Sequence, residues 1–79
     1  MAKAAKEIEQ DKLWLIGNII KALRIKAGYT SYENFATEHE LTNSYYWLAE
    51  KGTNLSINYL LRILEIHKVS LSDFFKDIK

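Results

Sequence analysis

Four times after residue 28, a serine or threonine stands just ahead of an apolar stretch, where the start of a helix needs a hydroxyl. Thr30, followed at three residues by Glu33, fits a capping box, and Ser31 offers a second N-cap; Phe35 and Ala36 then point inward. Thr42 precedes a stretch that runs through Tyr46 and Ala49 to about Lys51 and stops at Gly52. Ser56 precedes the inward set Ile57, Leu60, Ile63 and Leu64. Ser70, three residues before Asp73, opens a short last helix carrying Phe74 and Phe75. Ahead of these lies a longer helix, with Leu13, Ile16, Ile20 and Leu23 at three- and four-residue spacing and Ala27 continuing the row. Gly28 is placed to end it in a left-handed turn. Trp14, Leu15 and Ile19 lie off that stripe, so more than one face of this helix is a candidate for burial.

No proline interrupts the chain and only 3 glycines punctuate it. The pattern predicts an all-α fold, a compact bundle of about five helices with short connections and an extended first helix. At 79 residues it is one domain, near the lower size limit for a core without staples. Residues 1–12 read as an N-terminal extension, helical or frayed, and residues 13–79 as the domain proper. The alternating charges of residues 3–12 fit an exposed helix or a frayed end.

There is no cysteine, hence no disulfide framework and no thiolate metal site. No apolar run reaches the ~18 residues of a membrane span, and the first ten residues carry charges where a secretory signal needs an apolar stretch. The expectation is a soluble, cytoplasmic protein. His39 and His67 are far apart in the chain, His39 expected as an exposed turn residue and His67 at a helix end. No metal site is expected from them. Glu33, Glu38 and Glu40 read as a solvated face. No glycine-rich phosphate loop and no nucleophile-turn motif is present. An enzyme is not expected, and neither a cofactor nor a small-molecule substrate is implied.

The segments I-G-N-I-I-K-A-L-R, F-A-T-E-H-E-L-T-N-S-Y-Y-W-L-A-E-K-G and S-I-N-Y-L-L-R-I-L-E-I-H-K-V-S-L-S-D-F-F occur in that order between Ile16 and Phe75. In order and spacing they resemble the Cro/C1-type (XRE-like) helix-turn-helix family, whose fold is lambda-repressor-like. The resemblance covers about three-quarters of the chain. It implies that the second and third helices form the helix-turn-helix, with the third entering the major groove of double-stranded DNA. It also implies a partly buried ion pair between Arg24 and Glu50. The chain departs from the family in three places. The loop after Gly28 is one residue longer, Glu40 stands where the turn usually has glycine, and His67-Lys68 replaces a usual Leu-Gly.

The third helix is short of basic side chains. Between Thr42 and Glu50 there is no lysine or arginine, but there are Tyr45, Tyr46 and Trp47. Residues 1–26 hold six basic and three acidic side chains, the remainder five basic and seven acidic, so the positive half is the other one. The resemblance implies that Tyr46 and Ala49 face the core, since they take positions usually held by buried aliphatics, and helical geometry then turns Asn43, Ser44, Trp47 and Leu48 outward. On the DNA reading Asn43 pairs with adenine, Ser44 bonds a base edge, and Trp47 and Leu48 press on thymine methyls, which favours A·T-containing sites. Ser31, Tyr32, Tyr45, Lys51, Thr53 and Asn54 are the candidate phosphate contacts, largely neutral groups that position the protein but release few counterions. The alternative is a protein–protein interaction module that uses the aromatic surface near Trp47. A homodimer is also expected, with Trp14, Leu15, Phe74, Phe75 and Ile78 as candidate contacts, each of which equally fits the core of its own chain. Sedimentation at micromolar concentration giving only a 9.2 kDa species would remove it.

Overall fold

Three serines start helices as their spacing predicts. In the computed structural model Ser31 Oγ accepts the N–H of Asn34 (3.3 Å), Ser56 Oγ that of Tyr59 (3.1 Å) and Ser70 Oγ that of Asp73 (3.1 Å). Each bond satisfies a donor that the first helical turn leaves unpaired. Ser31, not Thr30, is therefore the N-cap of the second helix. Thr42 has the extended backbone of an N-cap, but its side chain makes no capping bond.

The structure describes residues 5–53, 55–76 and 78, with side chains from Gln10 onward. They form five helices and no strand: α1 (Ala5–Lys26), α2 (Tyr32–Glu38), α3 (Asn43–Glu50), α4 (Ile57–His67) and α5 (Leu71–Phe75). From Ala5 the expected extension is continuous with α1, which runs unbroken past residue 12; residues 1–4 lie outside the described set. At 1.5 Å per residue α1 is about 33 Å long, which accounts for most of the 44 Å long axis of the molecule.

α1 to α4 end in the same way. The N–H of the left-handed residue after the helix bonds one carbonyl, and the next N–H reaches one residue further back. The pairs are Gly28 to Ile25 and Tyr29 to Arg24, Glu40 to Thr37 and Leu41 to Ala36, Gly52 to Ala49 and Thr53 to Leu48, and Lys68 to Glu65 and Val69 to Leu64. Two of the four left-handed positions hold side chains, Glu40 (φ 59°) and Lys68 (φ 57°). A Cβ there costs about 1–2 kcal/mol against glycine. Glu40 and Lys68 therefore keep a left-handed backbone without glycine.

The core consists of Ile20, Phe35, Ala36, Leu41, Tyr46, Ala49, Leu60, Ile63, Leu64 and Phe74. Phe75 packs edge-on to Phe74 at 5.0 Å and is half-buried, as is Ile78, so the C-terminal aromatics expected at a dimer contact belong largely to the core. Ile57, expected inward, is 68% exposed. It is the first residue of α4, and side chains lean towards the helix N-terminus, so it points past the core rather than onto it. Ala27 is exposed in the turn after α1. Trp14 and Leu15 are exposed, as a helix that buries only part of its apolar surface leaves them.

α1 and α3 approach at backbone distance. A Cβ on Gly17 would lie 2.6 Å from the Glu50 carbonyl oxygen and 2.7 Å from the Gly52 nitrogen. A Cβ on Gly52 would lie 2.7 Å from the Trp14 Cα. Each glycine thus makes room for the other's helix.

Candidate nucleic-acid interface

α3 is fixed from behind. Tyr46 is fully buried and meets Phe35 at 5.0 Å, with Ala49 beside it in the core. The last residue of α3, Glu50, is held by Arg24 of α1 through Nε to Oε2 (2.7 Å) and Nη2 to Oε1 (3.2 Å). Arg24 Nη1 also donates to the Tyr29 carbonyl at 2.8 Å. The two side chains are only 6% and 7% exposed. The bond to Glu50 raises the Arg24 pKa above its ordinary value, although burial opposes this. Leaving either charge unpaired here costs about 3–5 kcal/mol. The Tyr46 hydroxyl is buried with no hydrogen-bond partner among the described residues, and burial, reinforced by the Glu50 carboxylate, raises its pKa far above the usual value.

With Tyr46, Ala49 and Glu50 committed, the other side of α3 is bare. Asn43, Ser44, Trp47 and Leu48 are all exposed, Trp47 at 41% and Leu48 at 39%. Asn43, Trp47 and Lys51 fall in one row at four-residue spacing, and Ser44 and Leu48 in the next. Asn43 Oδ1 lies 3.5 Å from the Thr37 hydroxyl. Tyr45 takes the flank towards α4, its ring 4.4 Å from that of Tyr59. Burial, with the neighbouring Tyr45, pushes the Tyr59 pKa up to about 12.

The candidate phosphate contacts do not form one cluster. Ser31 and Tyr32 are half-buried at the start of α2, with the Ser31 hydroxyl used as a cap. Thr53 donates its hydroxyl to the Leu48 carbonyl at 2.8 Å and so helps close α3. Lys51 folds back over the Trp47 ring, 5.2 Å from its centroid, in cation–π geometry. Asn54 lies outside the described residues.

Beside the bare face is a cleft of about 220 Å³. Trp47, Glu50 and Lys51 of α3 and its C-terminal turn line it, with Tyr32 of α2 and Trp14, Asn18, Lys21 and Arg24 of α1. Trp14, a candidate dimer contact or core residue by sequence, thus lines this cleft, together with Asn18 and Lys21, for which the sequence suggests no role. The four α1 residues are spaced four, three and three apart, so they share one helix face, a signal visible in the sequence. The expected Arg24–Glu50 pair links this face to α3, while the place of Trp14, Asn18 and Lys21 beside Trp47 and Lys51 is seen only in the structure.

His39, expected as an exposed turn residue, is half-buried, 4.6 Å from the Phe35 ring. His67 stands at the end of α4 as expected and stacks on the same ring at 5.1 Å and 4°. Residues distant in the chain therefore meet at one phenylalanine. The buried Nε2 of His67 has no hydrogen-bond partner among the described residues, and burial, with His39 nearby, lowers the His67 pKa. Glu38, expected on a solvated face, accepts the Tyr29 hydroxyl.

No protein-family model, no curated protein and no solved structure matches this chain.

Proposed function

We propose that this chain is a small sequence-specific DNA-binding regulator of the Cro/C1 type, with α3 reading the major groove. One observation carries the reading: α3 is anchored along one side while Asn43, Ser44, Trp47 and Leu48 stand exposed together on the other. The short turn at Glu40 packs α2 against α3 as one helix-turn-helix unit. An α-helix presented in this way fits the major groove. Asn43 would pair with adenine through its amide, Ser44 would bond a base edge, and Trp47 and Leu48 would pack on thymine methyls and sugars. Tyr32, Lys51 and the backbone N–H groups at the start of α2 would meet phosphates. Occupying an operator would block or assist polymerase. The site of action would be the cytoplasm.

The test is selection from a pool of random duplexes at about 50 mM salt, where phosphate attraction is strong. The expected result is an enriched motif whose binding is lost in Asn43→Ala and Trp47→Ala. Absence of any duplex binding by the folded protein would overturn the reading. It would favour the second one, a protein–protein interaction module. That reading is supported by Trp14 and Trp47, both large aromatics with much of their surface in water beside one cleft.

A further inference from the structure

We propose that the cleft between α1 and α3 is a binding site for a small planar anion of the aromatic carboxylate class, its ring against Trp14 and Trp47 and its carboxylate drawn to Lys21 and Lys51. The aromatic walls are the first argument. Trp14 and Trp47, 58% and 41% exposed, both line this cleft. A flat ring covers such surface and gains from offset or edge contacts with the indoles.

Charge is the second argument. Glu50 is the carboxylate among the lining residues, and its two oxygens are taken by Arg24. Lys21 and Lys51 have no carboxylate within ion-pair distance among the described residues. The uncommitted charge in the cleft is therefore positive. It repels a cation and gives a neutral ring no anchor, whereas a carboxylate on the ring gains a charge-assisted partner. Lys51 is held at the wall by the face of Trp47, so its ammonium is partly positioned in advance. Size is the third argument: about 220 Å³ accommodates a one- or two-ring acid and falls below the range of drug-sized pockets.

Binding of the anion does not depend on the DNA reading, but one consequence rests on it. Trp47 and Lys51 also belong to the proposed DNA face, so the anion and the duplex would compete, each weakening the other by the same factor.

Two-dimensional proton–nitrogen NMR of the full chain tests the site directly. The chain has 2 tryptophans, and both line the cleft, so both indole N–H signals report on it. The probes are naphthoate, its neutral isostere naphthamide, and acetate as an anion without a ring. Expected are saturable shifts of both indole signals with naphthoate, with a Kd on the order of 1 mM or tighter. Naphthamide and acetate should bind at least about tenfold more weakly. Lys21→Gln combined with Lys51→Gln should weaken naphthoate about tenfold, leave naphthamide unchanged and keep the dispersed spectrum of a folded chain. No saturation by about 10 mM naphthoate, or equal binding of naphthamide, would overturn the proposal, the second result reducing the cleft to a plain apolar patch. Displacement of labelled duplex by naphthoate supports both readings. Saturable indole shifts in a chain that binds no duplex support the site and overturn the DNA reading alone.

Discussion

Gly17 sits in the middle of a helix, where alanine is ordinarily better by about 1 kcal/mol. Here the preference reverses, because a methyl would strike the backbone of Glu50 and Gly52, which cannot rotate away as a side chain can. Gly17→Ala is expected to destabilise the fold by about 1–3 kcal/mol, the usual cost of overpacking, measured as a lower urea midpoint. A variant as stable as the parent would mean that α1 and α3 are not in backbone contact. His67 gives the other residue-level expectation. Its folded pKa lies below its ordinary 6.5 because of burial and the neighbouring His39. The unfolded chain then binds the proton more readily than the folded one. Stability should be intact above 6.5 and decline as pH falls from there towards the folded value. Thermal melts of the parent and His67→Leu across that window should show a smaller decline in the variant.

Among the elements, the helix ends give the clearest comparison of sequence with structure. Ser31, Ser56 and Ser70 were legible because an N-cap needs only a hydroxyl and an N–H three residues on. Gly28 and Gly52 were legible as left-handed ends for an equally local reason. Glu40 and Lys68 take the same conformation with side chains that do not advertise it, and only the expected turn pointed to them. Glu40→Gly is therefore expected to stabilise the protein by about 1 kcal/mol, the relief of a crowded Cβ less the extra freedom glycine brings to the unfolded chain. A lower melting temperature would show that the Glu40 side chain does more than occupy a turn. The outward face of α3 was also legible, since Tyr46 and Ala49 take the positions that the resemblance buries, and helical spacing then sets the opposite face. The cleft was not. Trp14 and Lys21 stand some thirty residues from Trp47 and Lys51; the expected Arg24–Glu50 pair joins their helices, but the close Gly17–Gly52 approach that brings the four side chains to one cleft is encoded by no local pattern. Ile57 was misread for the opposite reason: periodicity extends to the first turn of α4, but the core does not.

At the scale of the whole molecule, a net charge of +1 says little until the fold arranges it. α1 carries Lys21 to the flank of α3, so the helix that lacks basic residues is supplied with one from a distant segment. The supply is small. If duplex DNA is the partner, the slope of log affinity against log salt should correspond to about two or three phosphates, against the six to ten of a strongly basic binder. A slope of the larger kind would point to basic residues outside the α3 face. The pairing of the two tryptophans on one cleft has an optical consequence. Indole emission from this protein arises from a single place, the seam between α1 and α3. Unfolding followed by that emission would record the parting of these two helices and would be silent if α4 and α5 loosened first. A transition seen by circular dichroism at lower denaturant than the transition in emission would therefore locate the weaker half of the molecule without a single substitution.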